Sequence, residues 1–158
     1  MLKYLIPTIL FAFINLQIMA QKTVSKYSVS VKYEITIINY YFGRVDNRTV
    51  VTPDSLSYEK NIHRGNSKKS IRVLNDTEKK ELEDLLKDFP LNSLKEKYVN
   101  NDVKDGTQMN FKITINEQTK EIFIANVYQE DLGKLVKLIV KMFPEDFIQY
   151  KKELIYPY

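Results

Sequence analysis

The chain has 158 residues, 44% of them hydrophobic and 28% charged, which is one domain's worth of ordinary folding sequence and excludes a multidomain machine. Without cysteine it holds no disulfide framework, thiolate metal site or cysteine nucleophile, and one histidine excludes a histidine-rich metal centre. Twenty-four Lys and Arg against 20 Asp and Glu give +4 and a pI near 9.0, which favours anionic partners only where the charge is concentrated.

The chain opens with Met1-Leu2-Lys3, an apolar run from Tyr4 to Ile14, then Asn15-Leu16-Gln17-Ile18-Met19-Ala20 before Gln21. This pattern predicts a secretory signal peptide over residues 1–20, cleaved near Ala20, ahead of a single α+β domain over residues 21–158. The uninterrupted apolar core, Ile9 to Ile14, is shorter than the roughly 20 residues of a membrane helix. Ile18 is a less typical residue than alanine at its place before cleavage, so an uncleaved anchor is the alternative, and membrane contact is expected through that anchor only. No cysteine follows the apolar run for lipid attachment. Without residues 1–20 the chain keeps 23 basic and 20 acidic residues, nearly balanced. A secreted or periplasmic location in a bacterial envelope is expected.

Tyr27 to Ile37 alternates, with Tyr27, Val29, Val31, Tyr33, Ile35 and Ile37 on one face, which predicts a half-buried strand. The parity changes at Ile37-Ile38, where a bulge or strand end is expected. Gly43 to Asn47 reads as a turn. Shorter strands are expected at Arg48 to Thr52, Leu56 to Ile62 and Lys69 to Leu74. Asn75 then caps a helix with Glu78 as capping-box partner, Leu82, Leu85, Leu86 and Phe89 form its apolar stripe, and Pro90 stops it. A link carrying Leu91, Leu94 and Tyr98 leads to a polar loop, Asn100 to Gly106. A hairpin follows, with Met109, Phe111, Ile113 and Ile115 alternating, a turn at Asn116 to Thr119, and a return over Lys120 to Val127. A second helix is predicted over about Glu130 to Phe143, and a short one near Phe147, Tyr150 and Leu154 before Tyr156-Pro157-Tyr158. The order of elements predicts an α+β fold, a mainly antiparallel sheet with two main helices packed on one face.

The chemistry-bearing motifs are mostly missing. Gly43, Gly65, Gly106 and Gly133 are isolated, so neither a phosphate-cradling loop nor a dinucleotide fingerprint is present, and no nucleotide or other cofactor is expected. A serine triad has only His63 to draw on, in a turn-rich stretch that reads as an exposed loop. Asn101 to Gly106 imitates a calcium loop, but Val103 and Lys112 stand where oxygen ligands are needed, so no metal is expected. Glu81 with Asp84, and Asp84 with Asp88, share helix faces among Lys79, Lys80 and Lys87 and read as a solvated surface. A hydrolase built from scattered carboxylates stays as the alternative class, and a structural subunit of an envelope assembly as a third.

Two features point to binding. Residues 60–72 carry Lys60, Arg64, Lys68, Lys69 and Arg72, five cations with no acid. In a hairpin they would project toward phosphate, sulfate, an acidic glycan or an acidic protein surface. Nucleic acid is disfavoured, because aromatic residues are not interleaved with these cations and the chain reads as exported. The second feature is aromatic, 11 Tyr and 8 Phe without Trp. Tyr40, Tyr41 and Phe42 are consecutive, so one of them opposes the other two in a strand, and Tyr41 is the candidate facing a partner. Asn47-Arg48-Thr49 and Asn75-Asp76-Thr77 match the glycosylation triplet, the second being better explained as a helix cap.

Val51-Thr52-Pro53-Asp54-Ser55-Leu56-Ser57-Tyr58-Glu59-Lys60, the capped Lys/Glu/Leu helix, Asp105-Gly106 before a hairpin, and Asn126-Val127-Tyr128 before an apolar helix form a recurrent arrangement. It resembles small exported bacterial domains of unknown function over roughly residues 24–145. In order of elements alone there is a weaker likeness to small bacterial protein inhibitors of metallopeptidases, with no inhibitory residue to carry over. The resemblance brings no catalytic motif; the basic 60–72 run and the scarcity of Cys, His and Gly lead instead to the expectation of a non-enzymatic module that binds a protein or acidic polymer through a sheet edge or the 60–72 hairpin.

Overall fold

The computed structural model describes residues 30–103, 106–143 and 150–152. The chain divides into residues 1–30 and 31–158, and the elements below belong to the second unit. The segment read as a signal peptide, the strand start at Tyr27 and Val29, Asp105, and the tail residues Phe147 and Leu154 to Tyr158 lie outside the described residues.

Among the described residues seven strands form one sheet: β1 (Tyr33–Tyr41), β2 (Arg44–Val51), β3 (Ser55–Lys60), β4 (Lys68–Val73), β5 (Lys97–Val99), β6 (Gln108–Ile115) and β7 (Gln118–Ala125). Helix α1 (Asp76–Lys87) lies between β4 and β5, and α2 (Glu130–Lys141) follows β7. The spatial order is β4-β3-β2-β1-β6-β7-β5, antiparallel except where β5 runs parallel to β7. The fold is α+β, as the order of predicted elements implies. Among the described residues no helix is long and apolar enough to cross a membrane.

Alternation decides the faces. Ile35 and Ile37 of β1, Val51 and Thr49 of β2, Leu56 and Tyr58 of β3, and Phe111 and Ile113 of β6 occupy neighbouring register positions and are buried. Leu82 and Leu86 of α1 and Leu132, Leu135 and Ile139 of α2 join them in one apolar core. Each helix buries one stripe against the same sheet face, which is why i, i+3, i+4 spacing was readable in both. The opposite face carries Arg48, Glu59, Lys69 and Asn110 in one cross-strand row.

Local chemistry fixes the joints. The Asn75 side chain accepts from the Glu78 N–H at 3.0 Å, and Glu78 Oε2 accepts from the Asn75 N–H at 2.9 Å, completing the capping box. Gly133 lets the Tyr128 ring pass against α2, where a Cβ would stand 1.9 Å from its hydroxyl oxygen. Tyr128 stacks on Tyr150, whose hydroxyl accepts from the Gln129 N–H at 2.8 Å and donates to the Val127 carbonyl. Burial pushes the Tyr150 hydroxyl well above the ordinary tyrosine range and the Tyr33 hydroxyl up to about 12.

Four details differ from the sequence reading. The β1 bulge falls at Asn39/Tyr40, two residues later than the parity change. Arg44 to Asn47 belong to β2, because Phe42 (φ 48°) and Gly43 (φ 71°) complete the reversal by themselves. Residues 97–99, read as part of a link, form the edge strand β5. Ile62 leaves β3 and enters a 3-10 turn, Ile62–Arg64.

Candidate binding surface

The basic segment is a hairpin. β3 and β4 pair antiparallel with Ser55 opposite Val73, Leu56 opposite Arg72, Ser57 opposite Ile71, Tyr58 opposite Ser70, Glu59 opposite Lys69 and Lys60 opposite Lys68. Since Leu56 and Tyr58 point into the core, Arg72, Ser70 and Lys68 share the helix-bearing face, and Lys69, Ile71 and Val73 share the open face. β4 ends the sheet, and every one of its residues except Arg72 is exposed.

The main chain of that edge has a definite orientation. The Leu74 N–H donates to the Asp54 carbonyl at 3.0 Å, so the ladder bonds of this pair involve even-numbered residues of β4. The N–H and C=O groups of Lys69, Ile71 and Val73 therefore point away from β3, off the edge of the sheet. A guanidinium nitrogen of Arg72 reaches the Val73 carbonyl at 3.3 Å, consistent with that orientation. The side chains on these same residues leave Ile71 65% and Val73 76% exposed.

The five cations separate into groups. Arg72 forms an ion pair with Glu78, at the N-terminus of α1, which ties the edge strand to the capping box. The Arg72 hydrogen bond holds the Glu78 carboxyl below its usual range, helped by the Asn75 N–H. Lys68 and Lys69 are exposed on the edge with no ion pair among the described residues. Lys60 stands at the loop end of the hairpin opposite Lys68. Arg64 is exposed in the 3-10 turn, and its Nε donates to Nε2 of His63 at 3.3 Å.

His63 is not the exposed loop residue expected from its turn-rich surroundings. Its side chain is 13% exposed, and Nδ1 lies 2.8 Å from Asp46 Oδ1, a close electrostatic contact rather than an aligned hydrogen bond. The His63 ring also packs against Tyr41 with centroids 5.5 Å apart. Tyr41 is thus brought to the basic hairpin, and it is exposed, as is its neighbour Phe42 at the β1–β2 tip, 4.6 Å away edge to face. Asn47, first residue of a glycosylation triplet, is instead buried in β2, bonded to Asn39 and Asp46.

Sequence reasoning missed Phe42, Asp46, Ile71 and Val73. Phe42 had a signal, an aromatic residue before glycine where a tight hairpin favours Asn or Asp. The others depend on which strand ends the sheet. Elsewhere, the helix carboxylates are surface groups: Asp84 is held below its usual range by Lys80 and then Lys87, Asp131 by Lys134 and then Gln129, and Glu81 binds Lys141. Among the described residues no three His, Asp or Glu side chains are grouped to hold a metal ion. A surface depression of about 460 Å³ is lined by Phe89, Leu91 and Ile115, with no residue of the 60–72 hairpin, and brings no cation cluster with it. Comparison with models of protein families finds no match, and no curated protein matches the chain.

Proposed function

We propose that this chain is an exported, non-enzymatic binding module of the bacterial envelope that holds a protein or acidic polymer at the basic 60–72 hairpin and the adjoining sheet edge. One observation carries the reading: β4 is a six-residue edge on which exposed Ile71 and Val73 stand beside Lys68 and Lys69. Exposed lysines alone would keep such an edge solvated and unpaired. Two large β-branched side chains on the same open edge do the opposite, and together with the cations they favour an anionic partner that also offers apolar contact.

The carboxylates favour binding over the hydrolase alternative. Glu78, Asp84 and Asp131 are each pulled toward the ionised form by a neighbouring cation, whereas a general acid requires a carboxyl pushed toward the protonated form. Arg72 is left out of the contact surface because Glu78 already meets its charge.

The test uses the purified protein with polyglutamate as probe. Lys68→Glu combined with Lys69→Glu weakens binding about tenfold or more at low salt, and the difference shrinks as added salt screens the charges. Binding that is unchanged by the double substitution, or absent in the unsubstituted protein, contradicts the reading.

A further inference from the structure

The structure assigns to the β4 edge a partner of one kind: an extended acidic polypeptide segment that adds to the sheet as an eighth strand. This rests on the proposed function and narrows it, from any acidic ligand to one that pairs through its main chain. Three observations converge on residues 68–73.

The outward groups are those of a strand with no neighbour on that side among the described residues. The N–H and C=O of Lys69 and Ile71 point off the sheet, with those of Val73 beyond them, and donors alternate with acceptors at a repeat of about 6.8 Å. A peptide backbone matches that repeat with its own alternating donors and acceptors. Polyphosphate, an acidic glycan or a lipid headgroup brings oxygen acceptors without the periodic N–H donors.

Side chains set the character of the added strand. Ile71 and Val73 stand on the open face, next to the position where the side chains of a new strand would lie in the same row, so apolar residues fit there. Lys68, at the other end of β4 on the face opposite Ile71 and Val73, fits acidic residues that alternate with the apolar ones, and Lys69 adds positive charge at the same end. Arg72 contributes no free charge, because Glu78 holds it on the helix side.

Charge also argues against a second copy of this chain as the occupant. Pairing two β4 strands antiparallel about Ile71 would bring Ile71 against its twin, but would add a second Lys68 and a second Lys69 to the same ribbon with no acid on either strand. An acidic strand uses the same main chain and neutralises those lysines.

The test measures binding of the purified protein to a capped octapeptide alternating valine and glutamate, and to two versions of it. One carries N-methyl groups on the valines and the other on the glutamates. In an added strand only one of these two residue sets turns its N–H groups toward β4. One methylated peptide is therefore expected to bind at least about tenfold more weakly than the parent while the other stays within about threefold. On the protein side, Ile71→Pro removes an outward donor and leaves the ladder bonds of Ser70 and Arg72 to β3, so it weakens the peptide at least about tenfold. Circular dichroism checks that this variant is folded, and the methylated peptides test the same point without altering the protein.

Equal binding of all three peptides overturns strand addition and leaves an anionic patch, so the proposed function stands without it. A stable dimer that Ile71→Asp dissolves gives the edge to a second copy and overturns the acidic partner. Absence of binding by the octapeptide and by polyglutamate alike overturns both readings.

Discussion

The two edges of the sheet are built differently. β5 is three residues long, runs parallel to β7, and is stitched at both ends, by Phe123 N–H to the Glu96 carbonyl and Asn100 N–H to the Ala125 carbonyl. Its Tyr98 and Val99 are half-buried, and the Tyr98 hydroxyl accepts from the Lys95 N–H. β4 is twice as long, antiparallel to β3, and presents Ile71 and Val73 to solvent. Shortness is one of the ordinary ways of making an edge unattractive to another strand. The chain uses it at β5 and leaves β4 longer and exposed, and the proposed function takes the cations on β4 as selecting a partner rather than repelling all of them.

Substitutions that break or sharpen this contrast differ in size. Phe111→Ala acts on both edges, since Phe111 lies in the buried row between Ile37 and Ile122. It is expected to cost about 3–5 kcal/mol in denaturant unfolding, with both edges lost in one cooperative transition. Gly133→Ala acts on the β7–α2 side. Helix propensity alone would make it stabilising, but the new Cβ would meet a Tyr128 ring that is itself stacked on Tyr150. A net loss of about 1–3 kcal/mol is expected, and a raised melting temperature would show that the ring yields.

Glu78→Gln acts on the β4 side alone. It breaks the charge in the Arg72 pair and weakens the capping box, at about 1 kcal/mol near neutral pH. Because the folded Glu78 carboxyl is held below its ordinary value, its contribution is complete above that ordinary value and is lost as pH falls through the lowered one. The stability difference between wild type and Glu78→Gln should therefore be constant from neutral pH down to about pH 5 and narrow below it. A difference that widens with acid would contradict the assignment. The smallest effect belongs to the exposed lysine pair: Lys68→Glu with Lys69→Glu should move stability by no more than about 0.5 kcal/mol while changing binding.

What could be read from the sequence follows the range of the interactions involved. Asn75 and Glu78 signal a helix start through a contact three residues long, and Leu82 with Leu86 fix its buried side, so the start and the buried face of α1 were legible, while its end falls at Lys87, ahead of Phe89 and Pro90. The β6–β7 hairpin and the inward set Tyr33, Ile35 and Ile37 were legible for the same reason. β2 was read too short because Asn47 and Thr49 occupy core-facing positions as polar residues and conceal the alternation. β5 has too few residues to show a period.

The site was less legible than the fold. The basic run is a property of sequence, and so is the aromatic triplet, but the closeness of Tyr41 to His63 and of His63 to Asp46 comes from strand pairing. In β4 the hydrophobic pattern points the wrong way. Ile71 and Val73 are its apolar residues, yet Leu74, 2% exposed, and the Arg72–Glu78 pair place the other parity against the helices. Burial of the flanking leucine and one ion pair decide the strand's orientation, and that inversion produces the exposed surface.

The most direct test of that surface is amide hydrogen exchange across β4, in the free protein and with the valine-glutamate octapeptide. In the free protein the Ser70 and Arg72 amides should be protected by β3 and those of Lys69, Ile71 and Val73 should exchange rapidly. On peptide binding, protection should appear at Lys69 and Ile71. Binding that leaves these two amides exchanging as fast as before would contradict a partner paired along the edge.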